Sequence, residues 1–292
     1  MILQTKHKIF LASLAYRPIR LLRKLTGKEQ NGQFRRKDLL WELDLDEVVD
    51  FMIYLTGGFE TSLNQFIRKN LTAGMVALDI GANIGAHTLA MGAEVAPGGR
   101  AHAIEATEYA FEKLTRNIAL NPNIADHITA HHCILLPPKD QADRNAPVEE
   151  IHSSWPFQSD EERHYSHQGV FKSVGSARKM SLDELCDELQ LDLIKLDVDG
   201  NEWDVLCGGT TTLERFSPLI VMEVAPDYHA PGDTKSFPYI HRLLNNCGYQ
   251  FYQLNGQALP KSAESLARSI PAGASINVIA VREGSRAPRF SR

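Results

Sequence analysis

Apolar runs end in acids at several places in this chain. "MVALDI" leads into Asp79, "RAHAIEA" carries Glu105, "DLIKLDVDG" carries Asp197 and Asp199, and "PLIVMEVA" carries Glu223. Carboxylates at strand ends can accept hydroxyl hydrogens, hold a cation or take a proton. Directly after Asp79 comes "GANIG", where Gly81 permits a tight turn and Gly85 lets a helix start close to a ligand. Gly81, Ala82, Asn83 and Gly85 therefore form a candidate binding turn whose N–H groups face acceptors. The turn lacks the third glycine of a dinucleotide fingerprint, and no Gly-Lys-Ser/Thr follows to cradle a phosphate.

Glu105 closes the next strand, the place where a ribose presents two hydroxyls. Asp79, a fixed negative charge beside the turn, would repel pyrophosphate but suits an ammonium or a sulfonium. S-adenosylmethionine has both cations, a ribose and no phosphate, so it is the expected cofactor. The same features speak against a nicotinamide-dependent dehydrogenase.

Lys195, Asp197 and Asp199 alternate with apolar residues and so share a strand face. One reading makes them structural, with Lys195 paired to Asp197 and Asp199 capping the helix that opens at Asn201. The other makes them catalytic, with Asp197 on the cofactor's amino group and Asp199 as general base toward the methyl acceptor. A protonated nucleophile must lose its proton as it attacks a methyl carbon, so a base must reach it. His152, His164 and His167 are further candidates for that base. Glu223, His152, Trp155 and His164 are the expected acceptor contacts. Asp197 and Glu223 could instead ligate magnesium, as in catechol-type methyltransferases, but no further ligand is evident and no metal is expected.

These residues need a sheet to hold them. From residue 75 onward apolar strands alternate with helical patterns, which predicts a mostly parallel sheet covered on both faces. "NEWDVLCGGTTTLERF" reads as one helix. "YQFYQL" and "SINVIAVR" are joined by a polar connection without an evident helix, so the last strand is expected to be antiparallel. Residues 38–74 form a strand-and-helix lead-in, and 75–284 the main domain. Residues 136–180, rich in proline and charge, read as an irregular insertion of the kind that carries function. Residues 285–292 are a tail.

Residues 1–37 are a basic extension. Their start resembles a signal peptide, but Arg17 and Arg20 interrupt it and no cleavage site follows. The apolar stretch is too short to span a membrane. A helix packing on its own domain is the favoured reading, because Pro18 would break a continuous amphipathic face. The second reading is an interfacial helix making weak contact with a membrane surface. The net charge of −5 argues against nucleic acid as a partner. Four scattered cysteines form no CxxC pair and suit a reducing cytoplasm.

Four stretches in order, "LDIGANIG", "AIEATEYAFEKLTRNIALN", "SLDELCDELQLDLIKLDVDGNEWDVLCGG" and "PLIVMEV", resemble the FkbM-type S-adenosylmethionine-dependent methyltransferases. The resemblance covers roughly residues 38–255. It implies a Rossmann-like seven-stranded sheet with an antiparallel last strand, and O-methylation of a sugar, glycolipid or polyketide-like hydroxyl. Three positions depart from the family pattern: Ala106 replaces a proline, Asp199 replaces a glutamate, and "HCILLPP" replaces a small-acid pair near the adenine. By position, His132 or Cys133 would take the adenine contact. A non-catalytic nucleoside-binding scaffold of the same fold is the alternative.

Overall fold

The structure is a computed structural model and describes residues 5–138, 140, 148–158, 168–229, 233 and 235–290. The chain opens with helix α1 (Thr5–Leu25), then hairpin strands β1 (Asn31–Arg36) and β2 (Leu39–Asp44), then helices α2 (Val48–Thr56) and α3 (Thr61–Asn70). The main domain follows with β3 (Val76–Ile80), α4 (Thr88–Val95), β4 (Arg100–Glu105), α5 (Glu108–Ala119), α6 (Pro122–Ala125) and β5 (Ile128–Leu135). Strands β6 (Glu150–Ser154), β7 (Val170–Ser173) and β8 (Arg178–Met180) lie within the insertion. Next come α7 (Leu182–Leu185), β9 (Leu193–Leu196), α8 (Glu202–Cys207), α9 (Thr210–Phe216) and β10 (Leu219–Val224). The chain closes with α10 (Phe237–Asn246), β11 (Tyr249–Tyr252), α11 (Ala263–Ser269) and β12 (Ile276–Arg282).

The main sheet runs β11-β12-β10-β9-β3-β4-β5-β8. β12 is antiparallel to both neighbours, whereas the β10, β9, β3, β4, β5 and β8 pairings are parallel. Seven strands match the expected arrangement, and the insertion adds β8 as an eighth at the edge. Residues on each strand alternate between two cores. Leu78, Ile80, Ile194, Leu196, Ile220 and Met222 face α8–α11, while Ala77, Leu193 and Val221 face the layer holding α2–α4.

Several local expectations are corrected. The insertion is not wholly irregular, since β6 and β7 pair as an antiparallel hairpin. The single helix read over residues 201–216 is two, parted at Gly208 and Gly209, where a Cβ on Gly208 would overlap the Leu136 carbonyl. The connection before β12 does contain a helix, α11, whose first turn is capped by Ser262 accepting from the Ser265 N–H. Pro18 does not break α1, which is continuous through it. The 37/38 boundary falls in the β1–β2 turn, so residues 31–37 join the lead-in rather than the extension.

The lead-in is fastened to the sheet domain by a buried ion pair. Asp50 on α2 and Lys113 on α5 are 1% and 5% exposed and in direct contact. Asp50 also accepts the Asp44 N–H at 2.6 Å. Burial pushes the Asp50 carboxyl up to about 6 against the opposing pull of Lys113. Removing one partner strands the other charge away from water. Asp50→Ala is expected to cost about 3–5 kcal/mol in urea denaturation, with Asp50→Leu/Lys113→Met recovering most of it. A single-variant loss below about 1 kcal/mol, as for surface pairs, would contradict the buried assignment.

Candidate active site

A cavity of about 960 Å³ opens beyond the carboxyl ends of β3, β4, β9 and β10, where open α/β sheets bind ligands. Its wall includes Gly81, Ala82, Asn83, Glu105, Asp197, Asp199 and Glu223 on the polar side. Val48, Val49, Met52, Phe59 and Leu63 from the lead-in form an apolar side.

Lys195 anchors the floor. It is 3% exposed; its Nζ donates to the Gly81 carbonyl at 3.0 Å and lies 3.4 Å from Asp79 and 3.6 Å from Asp197. Asp79 and Lys195 are register partners on adjacent parallel strands, so their side chains emerge on one face. Burial alone would lower the Lys195 pKa, but Asp79, Asp197 and Glu60 outweigh it and hold it above the usual lysine value. Gly81 is at φ +77°, and a Cβ there would overlap the Asp197 carbonyl oxygen. Its bare backbone thus admits the neighbouring strand end, and the Asp197 N–H donates to the Ile80 carbonyl at 3.1 Å.

Glu105 is 5% exposed and held from several sides. Its Oε2 accepts the Asn83 N–H at 2.9 Å, and its Oε1 accepts the Thr107 N–H at 2.9 Å and hydroxyl at 2.7 Å. Asn83, at φ +48°, donates its side-chain amide to the Ser153 carbonyl at 3.1 Å. The Thr107 hydroxyl also reaches the Ser153 Oγ at 2.8 Å. The insertion is therefore tied to the glycine turn and to Glu105 together. Each carboxylate oxygen carries two lone pairs, so Oε2 keeps capacity for a ligand hydroxyl.

Asp197, Asp199 and Glu223 converge, with one oxygen of each lying within 4.8 Å of the others. Asp199 sits at φ +48°, just past the end of β9. β9 ends at Leu196, so strand alternation does not run on to Asp199, and Val198 both packs against the core and lines the cavity. Asp199 does not cap α8; the Glu202 carboxylate accepts the Val198 and Gly200 N–H groups there, each at 3.2 Å. Burial, with Asp197, Glu223 and Glu202 adding repulsion, holds Asp199 well above the usual carboxylate range. Burial and Asp197 push Glu223 up to about 8. Burial also raises Asp197, with Lys195 opposing the rise. More negative charge meets here than Lys195 compensates, so the site favours an arriving cation.

The structure sorts the expected residues. Gly81, Ala82, Asn83, Glu105, Cys133, Asp197, Asp199, Glu223, His152 and Trp155 all line the cavity, as does Lys195. Asp79 does not: fully buried, it accepts the Thr88 hydroxyl at 2.6 Å and serves Lys195 behind the wall. Gly85 also lies behind the wall, at φ +96° against Leu114. His132 stacks on Phe111 and reaches the Ala106 carbonyl, outside the lining. Cys133 is buried, and burial pushes its thiol up to about 12, so it offers wall rather than reactivity. The His152 ring lies tilted against Phe171, with ring centroids 3.8 Å apart. His164 and His167 lie outside the described residues.

Sequence reading missed Glu60 and His87. Glu60, at φ +45° before α3, accepts from the Asn277 amide at 3.0 Å and lies 3.6 Å from His87. Burial pushes its carboxyl up, but His87, Asn277 and Lys195 outweigh this and hold it below its usual value. The only signal was an acid following the Gly57-Gly58 turn in an apolar lead-in.

Residues 79–251, which carry the turn, Glu105 and the acidic strand ends, match the description "Methyltransferase FkbM domain". The chain belongs to the FkbM methyltransferase family. No curated protein matches it. Among solved structures, methyltransferase FkbM from Methylobacillus flagellatus KT is 17% identical over 71% of this chain and 43% of that one, with a TM-score of 0.43. This FkbM methyltransferase thus spans less than half the length of that relative. The M. jannaschii TYW2 complex with AdoMet is 15% identical, covering 87% of this chain and 85% of that one, at a TM-score of 0.40. Precorrin-6y C5,15-methyltransferase from Geobacter metallireducens is 13% identical, covering 76% and 89%, at 0.41.

The residues of the cavity fit S-adenosylmethionine, the cofactor expected of an FkbM methyltransferase domain. The converging carboxylates match its cations, and Glu105 beside the glycine turn matches its ribose hydroxyls. A cation favours the ionised carboxylates, so its binding should expel protons from groups that titrate high. Glu223, near 8 in the free protein, is largely protonated below that pH. Affinity for S-adenosylmethionine is therefore expected to rise from about pH 6 toward 8 and then level. Calorimetry in buffers of different ionisation enthalpy should show proton release, and Glu223→Gln should flatten the profile. A pH-independent affinity in the unsubstituted protein would refute this charge assignment.

Proposed function

We propose that this methyltransferase transfers the methyl group to a hydroxyl oxygen of a sugar, glycolipid or polyketide-like acceptor with an apolar portion. The observation that supports the reading is Asp199, which lines the cavity with an oxygen within 4.8 Å of Asp197 and Glu223 and which burial and those neighbouring acids hold well above the usual carboxylate range. A general base works best when its pKa lies near the working pH. The cofactor, when bound, supplies an electrophilic methyl on a sulfonium with a neutral leaving group. The protein's part is to align the hydroxyl and accept its proton at an Asp199 oxygen. Asp197, beside Lys195, is the partner for the cofactor's amino group, and Glu105 holds the ribose. Glu223, His152 and Trp155 are placed to meet the acceptor, and the apolar lead-in wall suits its non-polar part. The four cysteines are scattered and form no CxxC pair, which agrees with work in a reducing cytoplasm.

Asp199→Asn keeps the shape but removes basicity, and should lower turnover at saturating cofactor by about 10²–10⁴. The readout is S-adenosylhomocysteine release with candidate acceptors. Near-normal turnover would transfer the base to His152 or another insertion histidine, and absence of turnover with every acceptor would favour a scaffold. Glu105→Ala removes charge-assisted bonds and should weaken cofactor binding by about 2–4 kcal/mol.

A second reading, metal-assisted transfer, is favoured by the same convergence. Asp199 supplies the further oxygen ligand that Asp197 and Glu223 lacked in the sequence, and magnesium takes such ligands. Turnover that disappears on EDTA treatment and returns with magnesium would select it; EDTA-insensitive turnover would leave Asp199 as the base.

A further inference from the structure

Helix α1 uses only part of its circumference for the fold. Ala12 and Tyr16 are buried, and Tyr16 stacks on Phe157 with centroids 4.0 Å apart while donating to Asp46 at 2.6 Å. Phe10, Leu11, Leu14, Leu21, Leu22 and Leu25 are instead between 52% and 75% exposed. At about 100° per residue these six side chains fall within an arc of about 120°, with Pro18 among them. Arg17 and Lys24, both exposed, run along one margin of that stripe. Arg20 pairs with Asp46 and Arg23 lies over the Phe34 and Tyr54 rings, so these two hold the helix to its domain.

The charge around the stripe identifies what covers it. Residues 1–28 hold seven of the 31 Lys and Arg and none of the 36 Asp and Glu, leaving the rest of the chain strongly acidic. A second copy docked stripe to stripe would oppose cation to cation. A nucleic acid would satisfy the charge but leave the leucines in water. An anionic lipid surface satisfies both, with acyl chains for the stripe and headgroups for the flanking cations. The fold agrees, since Ile9 and Ala12 of the same helix line the large cavity. Among the described residues no helix is long and apolar enough to cross a membrane, so the contact would be interfacial.

We propose that α1 is an interfacial docking helix that lies in the plane of an anionic bilayer, with its Phe10–Leu25 stripe among the acyl chains. The helix then holds the cavity mouth beside the membrane. Docking is independent of acceptor identity and of the general base, so its test requires no turnover.

The full chain is sedimented with phosphatidylcholine vesicles with and without phosphatidylglycerol. Binding is expected only with phosphatidylglycerol, and should weaken as salt rises. Leu14→Glu/Leu21→Glu and Arg17→Glu/Lys24→Glu should each reduce partitioning at least about tenfold. All four positions are exposed, so thermal midpoints should stay unchanged. Failure of the unsubstituted protein to bind anionic vesicles overturns the proposal. So does undiminished binding by the leucine variant, which would leave charge without insertion. Self-association in sedimentation velocity that the leucine changes abolish, without vesicle binding, would assign the stripe to a second copy instead.

Discussion

A single buried ammonium organises the site. Lys195 is almost wholly buried and is stabilised by the Gly81 carbonyl, Asp79 and Asp197. Those partners come from the glycine turn, the strand before it and the end of the neighbouring strand. An uncompensated charge at such depth costs several kcal/mol, so these parts must keep their relative positions for the fold to persist. The glycine at 81 belongs to the same constraint, because any side chain there would collide with the strand end that carries Asp197.

That arrangement consumes positive charge before any ligand arrives. Asp79 takes its share of Lys195 from behind the cavity wall, and Asp197 takes another from the front. Asp199 and Glu223 face the cavity among other acids, and burial together with that repulsion is why both titrate high. The site thus stores electrostatic repulsion that a cation relieves. Affinity for a positively charged nucleoside and proton affinity at the future base arise from one imbalance.

Distant segments complete the enclosure. The insertion reaches over the turn through Ser153, which joins Asn83, Thr107 and Glu105. The lead-in reaches it from the other side through Glu60, His87 and Asn277. Its position depends in turn on the Asp50–Lys113 pair and on Tyr16 of α1. One assembly therefore carries an apolar wall for an acceptor, a polar grip for a cofactor and an exposed basic helix.

Periodicity and motif spacing alone determined the parallel sheet, the glycine turn and the acids at strand ends, whereas the reversed last strand rested on a helix-free connection that in fact holds α11. These are local properties: an apolar run of strand length, a breaker after it and the residue between them. Tertiary structure decided what each acid does, because that depends on partners far along the chain. Asp79 looks like a ligand group until register places Lys195 beside it. Asp199 looks like a cap until the helix is seen to open past Asn201 with no side-chain cap, and a left-handed backbone sets Asp199 in the cavity wall. Glu60 carried no motif, since its importance comes from His87 and Asn277 meeting it across the fold. Sequence records which groups are available for chemistry; long-range packing assigns them a charge state, a neighbour and a direction.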